Sequence, residues 1–218
     1  MGELDEMLAK SHDFAEHLLG MFGEDIEWFG GDRPEAAAAA AELAFEHAHA
    51  LRVLFSAGTP NSGAAMLRLQ YEALLRAAWL LYSAPESPVE KLSAFLTEET
   101  AATAKNVISA EKMLLALEST AEKAPNLRGL VLQLRELRDS AWAPMNGFVH
   151  AGLHALARTQ DGFPAELGTN LVKLSNGMLP MSARLLARTT TSVALVTAVD
   201  KVYERFVDVL PVVAPGGN

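Results

Sequence analysis

Two polar stripes on otherwise apolar helical stretches carry the chemistry this chain offers. Arg68, Glu72 and Arg76 recur every four residues within 64–82, with Trp79 beside the last of them. At 3.6 residues per turn they share one narrow face of a helix that is apolar around the rest of its circumference. Asn146, His150 and His154 recur at the same interval later in the chain, with Trp142, Leu153 and Ala157 close to their line. An arginine grips an anion through a planar fork of donors, and a histidine changes charge near neutral pH. If the two stripes face each other, Glu72 and His150 can exchange a proton as catalytic groups. Arg68, Arg76, Asn146, His154 and Trp79 then form the surface that holds a ligand. The competing reading is structural: a satisfied network that locks helix register, or two exposed edges of a bundle. Gly147 and Gly152 interrupt the second stripe. Each disfavours a helix by up to about 1 kcal/mol, which points to close approach of a backbone or a ligand.

Other reaction classes find less support. His150 and His154 are spaced as two ligands on one helical face, and Glu46 with His49 forms one Glu-x-x-His pair. Di-iron bundles use two such pairs plus further glutamates, and Ala151 stands where a zinc protease needs its glutamate. We therefore expect no metal and no other cofactor. The absence of cysteine excludes thiol catalysis and structural disulfides, and no phosphate loop, nucleophile elbow or kinase signature occurs.

The elements that must position the stripes are helices. Apolar periodicity predicts helix one over 4–22 and helix two from a capping arrangement at Asp32-Arg33-Pro34-Glu35 to about Ser56. The alanine run 36–41 reads as close packing. Gly58-Thr59-Pro60-Asn61-Ser62-Gly63 is a short connection that makes helices two and three an antiparallel hairpin. Helix four starts at Ser87-Pro88-Val89-Glu90, has a polar middle over 97–106, and recovers an apolar face through Leu117. Helix five starts at Pro125, helix six covers 140–159, helix seven ends near Asn176-Gly177 because of Pro180, and helix eight runs over 181–209. No stretch alternates as a strand does. The expectation is an all-α fold, one bundle of seven or eight helices with antiparallel neighbours, occupying 1–218 as a single domain with a frayed tail at 211–218. The long last helix, with its Thr/Val-rich face, offers a dimer surface or ordinary core packing.

Composition narrows the partners. The chain has 218 residues, half of them hydrophobic, and a formal net charge of −9. Such acidity opposes broad attraction to nucleic acid or anionic lipid, though not a small basic cleft. The uncharged stretch 189–199 is far short of the roughly 20 residues of a membrane span, and the acidic start lacks a signal peptide's pattern. The expected location is cytoplasmic, away from membranes.

At Arg68-Leu69-Gln70-Tyr71-Glu72 and Asn146-Gly147-Phe148-Val149-His150-Ala151-Gly152 the chain resembles uncharacterised bacterial all-helical families. These pair an Arg-x-x-x-Glu helix with a later Asn/Ser-x-x-x-His-x-Gly helix. They are distantly similar to HEPN domains, helical modules often found as dimers in toxin–antitoxin, abortive-infection and RNA-cleavage systems. The resemblance spans about residues 40–160. It implies a homodimer whose polar pocket binds a small anionic or nucleotide-like ligand, or keeps an inactive form of such a site. A metal-independent ribonuclease, with His150 as general acid/base and an arginine at the phosphate, is the alternative that gives RNA as partner; a purely structural interaction module is another. HEPN ribonucleases place an arginine a short way before the histidine on the same helix. Here Asn146 occupies that face and Arg138 lies too far upstream, so a cation would have to come from Arg68 or Arg76.

Overall fold

The computed structural model describes residues 2–103 and 108–211. Among the described residues the chain forms ten α-helices and no strand, apart from one isolated antiparallel bridge between Trp28 and Thr190. The helices are α1 (Glu3–Leu19), α2 (Asp32–Ser56), α3 (Pro60–Tyr82), α4 (Glu86–Ser93) and α5 (Glu98–Thr103). They continue as α6 (Ala110–Lys123), α7 (Arg128–Val149), α8 (Leu153–Asp161), α9 (Ala165–Ala187) and α10 (Val193–Val199). The all-α expectation holds, with ten helices among the described residues in place of the seven or eight expected.

The α2–α3 hairpin is the spine. Ala37, Ala41 and Ala44 are essentially inaccessible, so the alanine run lets α3 lie close against α2. Gly63 does the same from the other side, since a Cβ there would fall 2.7 Å from Phe55 Cδ2. Arg33, in the first turn of α2, donates to the Leu80 carbonyl at 2.7 Å and pairs with Glu86, tying the far end of the hairpin. Helices α6, α7 and α9 pack around α3, burying Leu67, Tyr71, Leu74 and Ala78. Gln70 is also buried, and it donates to the Ser175 carbonyl while accepting from the Ser175 hydroxyl on α9. A second cluster joins Phe14 and Leu18 of α1 to Leu179 and Ala183 of α9 and to Leu195 of α10.

Several expected boundaries are wrong, for local reasons. Helix four is broken: Ala94 is extended, and the Thr97 and Thr100 hydroxyls accept from each other's backbone N–H to start α5. Its polar middle lies partly outside the described residues, at 104–107, as does nearly all of the expected frayed tail, at 212–218. Helices five and six are joined as α7, which carries Pro144 in its interior. Helix seven runs through Asn176-Gly177 and Pro180 to Ala187. Asn176 is no cap; its buried side chain donates to Ser11 Oγ and the Val209 carbonyl, and Gly177 makes room for Pro211. The long terminal helix over 181–209 is instead the end of α9, the short α10 and two single 3-10 turns. Thr189 and Thr190 turn their hydroxyls back onto the Leu186 and Ala187 carbonyls, competing with helix continuation, and Ser192 caps α10 through Leu195 N–H. No described helix is long and apolar enough to cross a membrane.

Candidate functional site

The two stripes meet where α3 packs on α7. Tyr71 sets that contact: its buried hydroxyl donates to the Leu134 carbonyl at 3.0 Å, and its ring stands edge-on to Trp142 with centroids 6.0 Å apart. Burial pushes the Tyr71 phenol well above its usual range, so it stays a neutral donor. Helical spacing then brings Arg68 and Glu72, on the flanking line of α3, to the last two turns of α7.

Arg68 is the hub. Its Nε donates to Glu72 Oε1 at 2.9 Å, its Nη1 donates to Asn146 Oδ1, and the same Nη1 lies 3.1 Å from His150 Nε2. The guanidinium sits 4.6 Å from the centroid of the Trp142 ring, a cation–π distance, with that of Arg138 5.3 Å from the same ring. If Arg68 donates to His150, Nε2 must be the unprotonated nitrogen, which assigns the proton to Nδ1. Arg68 Nη2 takes part in none of these bonds. The arginine and Glu72 side chains keep 19% and 32% of their exposure, and His150 is exposed. The cluster is thus a half-open lip and not a sealed core network.

Three of the seven candidate residues lie elsewhere. Arg76 is two turns beyond Arg68, about 12 Å along the helix axis. Burial pushes its guanidinium down, and its Nη1 is enclosed with no partner among the described residues. Trp79 is buried, and its indole N–H likewise lacks a partner there. His154 is not on the stripe at all. Helix α7 stops at Val149, Ala151 takes a left-handed φ of 49°, and α8 starts a new direction at Leu153. A Cβ on Gly152 would sit 3.1 Å from Gly147 Cα, so the close approach expected of these glycines is the chain folding onto itself. The bond from Gly152 N–H to the Gly147 carbonyl, 2.7 Å, closes that turn. His154 then packs beside Gly147 and the Phe148 ring and is exposed.

The turn also separates His150 and His154 onto different elements, which voids their spacing as a ligand pair; no group of three or more His, Asp or Glu able to hold a metal occurs among the described residues. Trp142 is the residue of the candidate site that sequence reasoning undervalued. It was visible only as a neighbour of the stripe, because which face of α7 meets α3 depends on the tertiary contact through Tyr71.

The chain belongs to the family of unknown function DUF6988, whose model matches residues 41–212. The match includes all seven candidate residues. No curated protein and no solved structure matches the chain.

Proposed function

We propose that the Arg68–Glu72–Asn146–His150 cluster is a binding site for a small anion of nucleotide type, in a protein of HEPN-like character. The observation that carries this reading is one guanidinium nitrogen shared by Asn146 and His150 at a half-open lip, with a second nitrogen of the same fork making no hydrogen bond among the described residues. A phosphate oxygen can take that free donor without breaking the bond to Glu72, and it gains a charge-assisted hydrogen bond. Trp142 holds the guanidinium plane still, which lowers the entropy lost on binding. Glu72 neutralises the empty site, so the ligand has to compete through geometry and not only through charge. The test is calorimetric titration with adenosine 5′-monophosphate. Saturable binding by the wild type and at least a tenfold loss in Arg68→Met is the expected result; equal affinity of the two proteins refutes the reading.

A second reading has its own observation. The cation that HEPN ribonucleases take from the histidine's helix is here delivered to His150 from α3, at 3.1 Å. In that reading Arg68 turns its donor from His150 Nε2 to the phosphate, where it stabilises the developing charge, and the Nε2 lone pair so released accepts the attacking hydroxyl's proton. RNA cleavage in the presence of a chelator, lost in a folded His150→Ala protein, supports it. Cleavage that survives this substitution removes His150 from the mechanism.

A further inference from the structure

A different part of the molecule shows a buried cation without an anion. Arg52 lies on α2, in the stretch Leu51-Arg52-Val53-Leu54-Phe55, which is otherwise apolar. The residue is 7% exposed, and its Nη1 is enclosed with no hydrogen-bond partner among the described residues. Burial drives its guanidinium down to about 10, with Glu16 opposing the shift from a distance that forms no ion pair. A buried guanidinium with an unmet donor is costly unless something supplies the missing acceptor.

Nη1 itself is out of a cleft ligand's reach, but Nε and Nη2 of the same guanidinium are neither enclosed nor hydrogen-bonded among the described residues, so an acceptor in the adjoining cleft can pair with the fork there. Arg52 lines a cleft of about 560 Å³ between α1 and α2, a volume within the usual range for small-molecule sites. One face of each helix forms the walls. Asp5, Leu8 and His12 recur at helical spacing on α1, and His49, Arg52 and Ser56 do so on α2. Leu8 and Val53 make the apolar surface, while Ser56 and the two histidines can add donors beside the guanidinium. Asp5 stands at the cleft with its carboxylate held by the backbone N–H of Gly2.

We propose that this cleft binds a small monoanionic carboxylate with an apolar body, its carboxylate on Arg52 and its hydrocarbon part along Leu8 and Val53. The acidic neighbours Asp5 and Glu16 select the charge. They repel a dianion such as phosphate more than a single carboxylate, whereas the apolar walls reward a hydrocarbon tail. The site is separate from the Arg68 cluster, with which it shares no residue, and it stands or falls independently of the function proposed above. Half of it, the α1 face, lies outside residues 41–212, so it is a feature of this chain and not of the matched span alone.

Hexanoate, hexan-1-ol and inorganic phosphate, each titrated into the full chain and followed through methyl resonances of Leu8 and Val53, test the assignment. Saturable shifts with hexanoate, at least tenfold weaker binding of the alcohol and of phosphate, and at least a tenfold loss for hexanoate in Arg52→Met are expected. Arg52→Lys, which keeps the charge but not the fork, should fall between the wild type and Arg52→Met and covers the case in which Arg52→Met fails to fold. Arg68→Met should bind hexanoate as the wild type does. Hexanoate that binds no better than the alcohol or phosphate, fails to saturate, or binds equally well to the Arg52 variants overturns the proposal.

Discussion

Replacing Arg68 by methionine and Asn146 by alanine, singly and together, measures whether the α3–α7 cluster is a formed interaction or two side chains sharing space. Arg68→Met removes three things. The pair with Glu72, with 19% and 32% of side-chain exposure remaining, lies between open surface and core. It contributes about 1 kcal/mol, at the upper end for exposed ion pairs. The hydrogen bonds to Asn146 and His150 add about 1 kcal/mol each. The cation 4.6 Å from the Trp142 ring centroid is worth about 0.5–1 kcal/mol at a half-exposed site. Methionine keeps an apolar stem and a polarizable sulfur on that ring and restores part of the last contribution. The expected loss is about 3–3.5 kcal/mol in urea unfolding, with unchanged dependence on denaturant. Asn146→Ala alone should cost about 1 kcal/mol, and the double substitution less than the sum by about 1 kcal/mol. A coupling below about 0.3 kcal/mol, the scatter of independent sites, refutes the direct contact on which the site is built.

Three further outcomes follow from the packing and the titrating groups. Gly63→Ala places its methyl 2.7 Å from Phe55 Cδ2, and Gly168 and Phe163 limit that ring's retreat. Overpacking of about 1–3 kcal/mol outweighs a propensity gain of about 1 kcal/mol. Thermal unfolding should therefore show a net loss, and a more stable variant contradicts the close packing of α2 on α3. Ala151→Gly relieves a left-handed residue and should raise stability by about 0.5–1 kcal/mol after the entropy cost of glycine, with a loss on urea unfolding contradicting the turn. Burial lowers the His47 pKa, with nearby Glu46 opposing it. Its contribution to stability is therefore complete above the unfolded value and is lost as pH falls through the folded one. A proton titration by NMR should place the His47 midpoint below that of an unfolded histidine, and His47→Gln should flatten the acid side of the stability profile. A midpoint above the unfolded value reverses the sign and rejects the burial assignment.

Helix type was legible in the chain wherever periodicity was long and unambiguous, as in 64–82, where Leu67, Tyr71, Leu74 and Ala78 all turned inward. The i, i+4 spacing showed which groups share a line on each helix, but that Arg68 meets Asn146 and His150 was only one of two open readings, because spacing does not fix which faces of two helices pack together. Three things were not legible. Pro180 looked like a stop, yet it lies within α9, where a lost backbone bond is offset by burial on both sides of it. Asn176 and Gly177 read as a helix stop because their roles, bridging α1 to the last turns and admitting Pro211, depend on segments far away in sequence. The break at 150–152 was hidden because a left-handed alanine carries no compositional signal, and it removed His154 from the stripe. Arg52 had a signal that went unread: a single charge on the buried line of Ala48, Leu51 and Phe55.

The central claim is that Arg68 presents a free donor for an anion while Asn146 and His150 hold its fork in place. The most direct test follows the Arg68 Nε–Hε and Trp142 indole resonances during titration with adenosine 5′-monophosphate. Saturable shifts of both signals, at one common affinity and absent from Arg68→Met for the indole, are predicted. Binding that leaves both signals unmoved, or that persists unchanged in Arg68→Met, contradicts the claim.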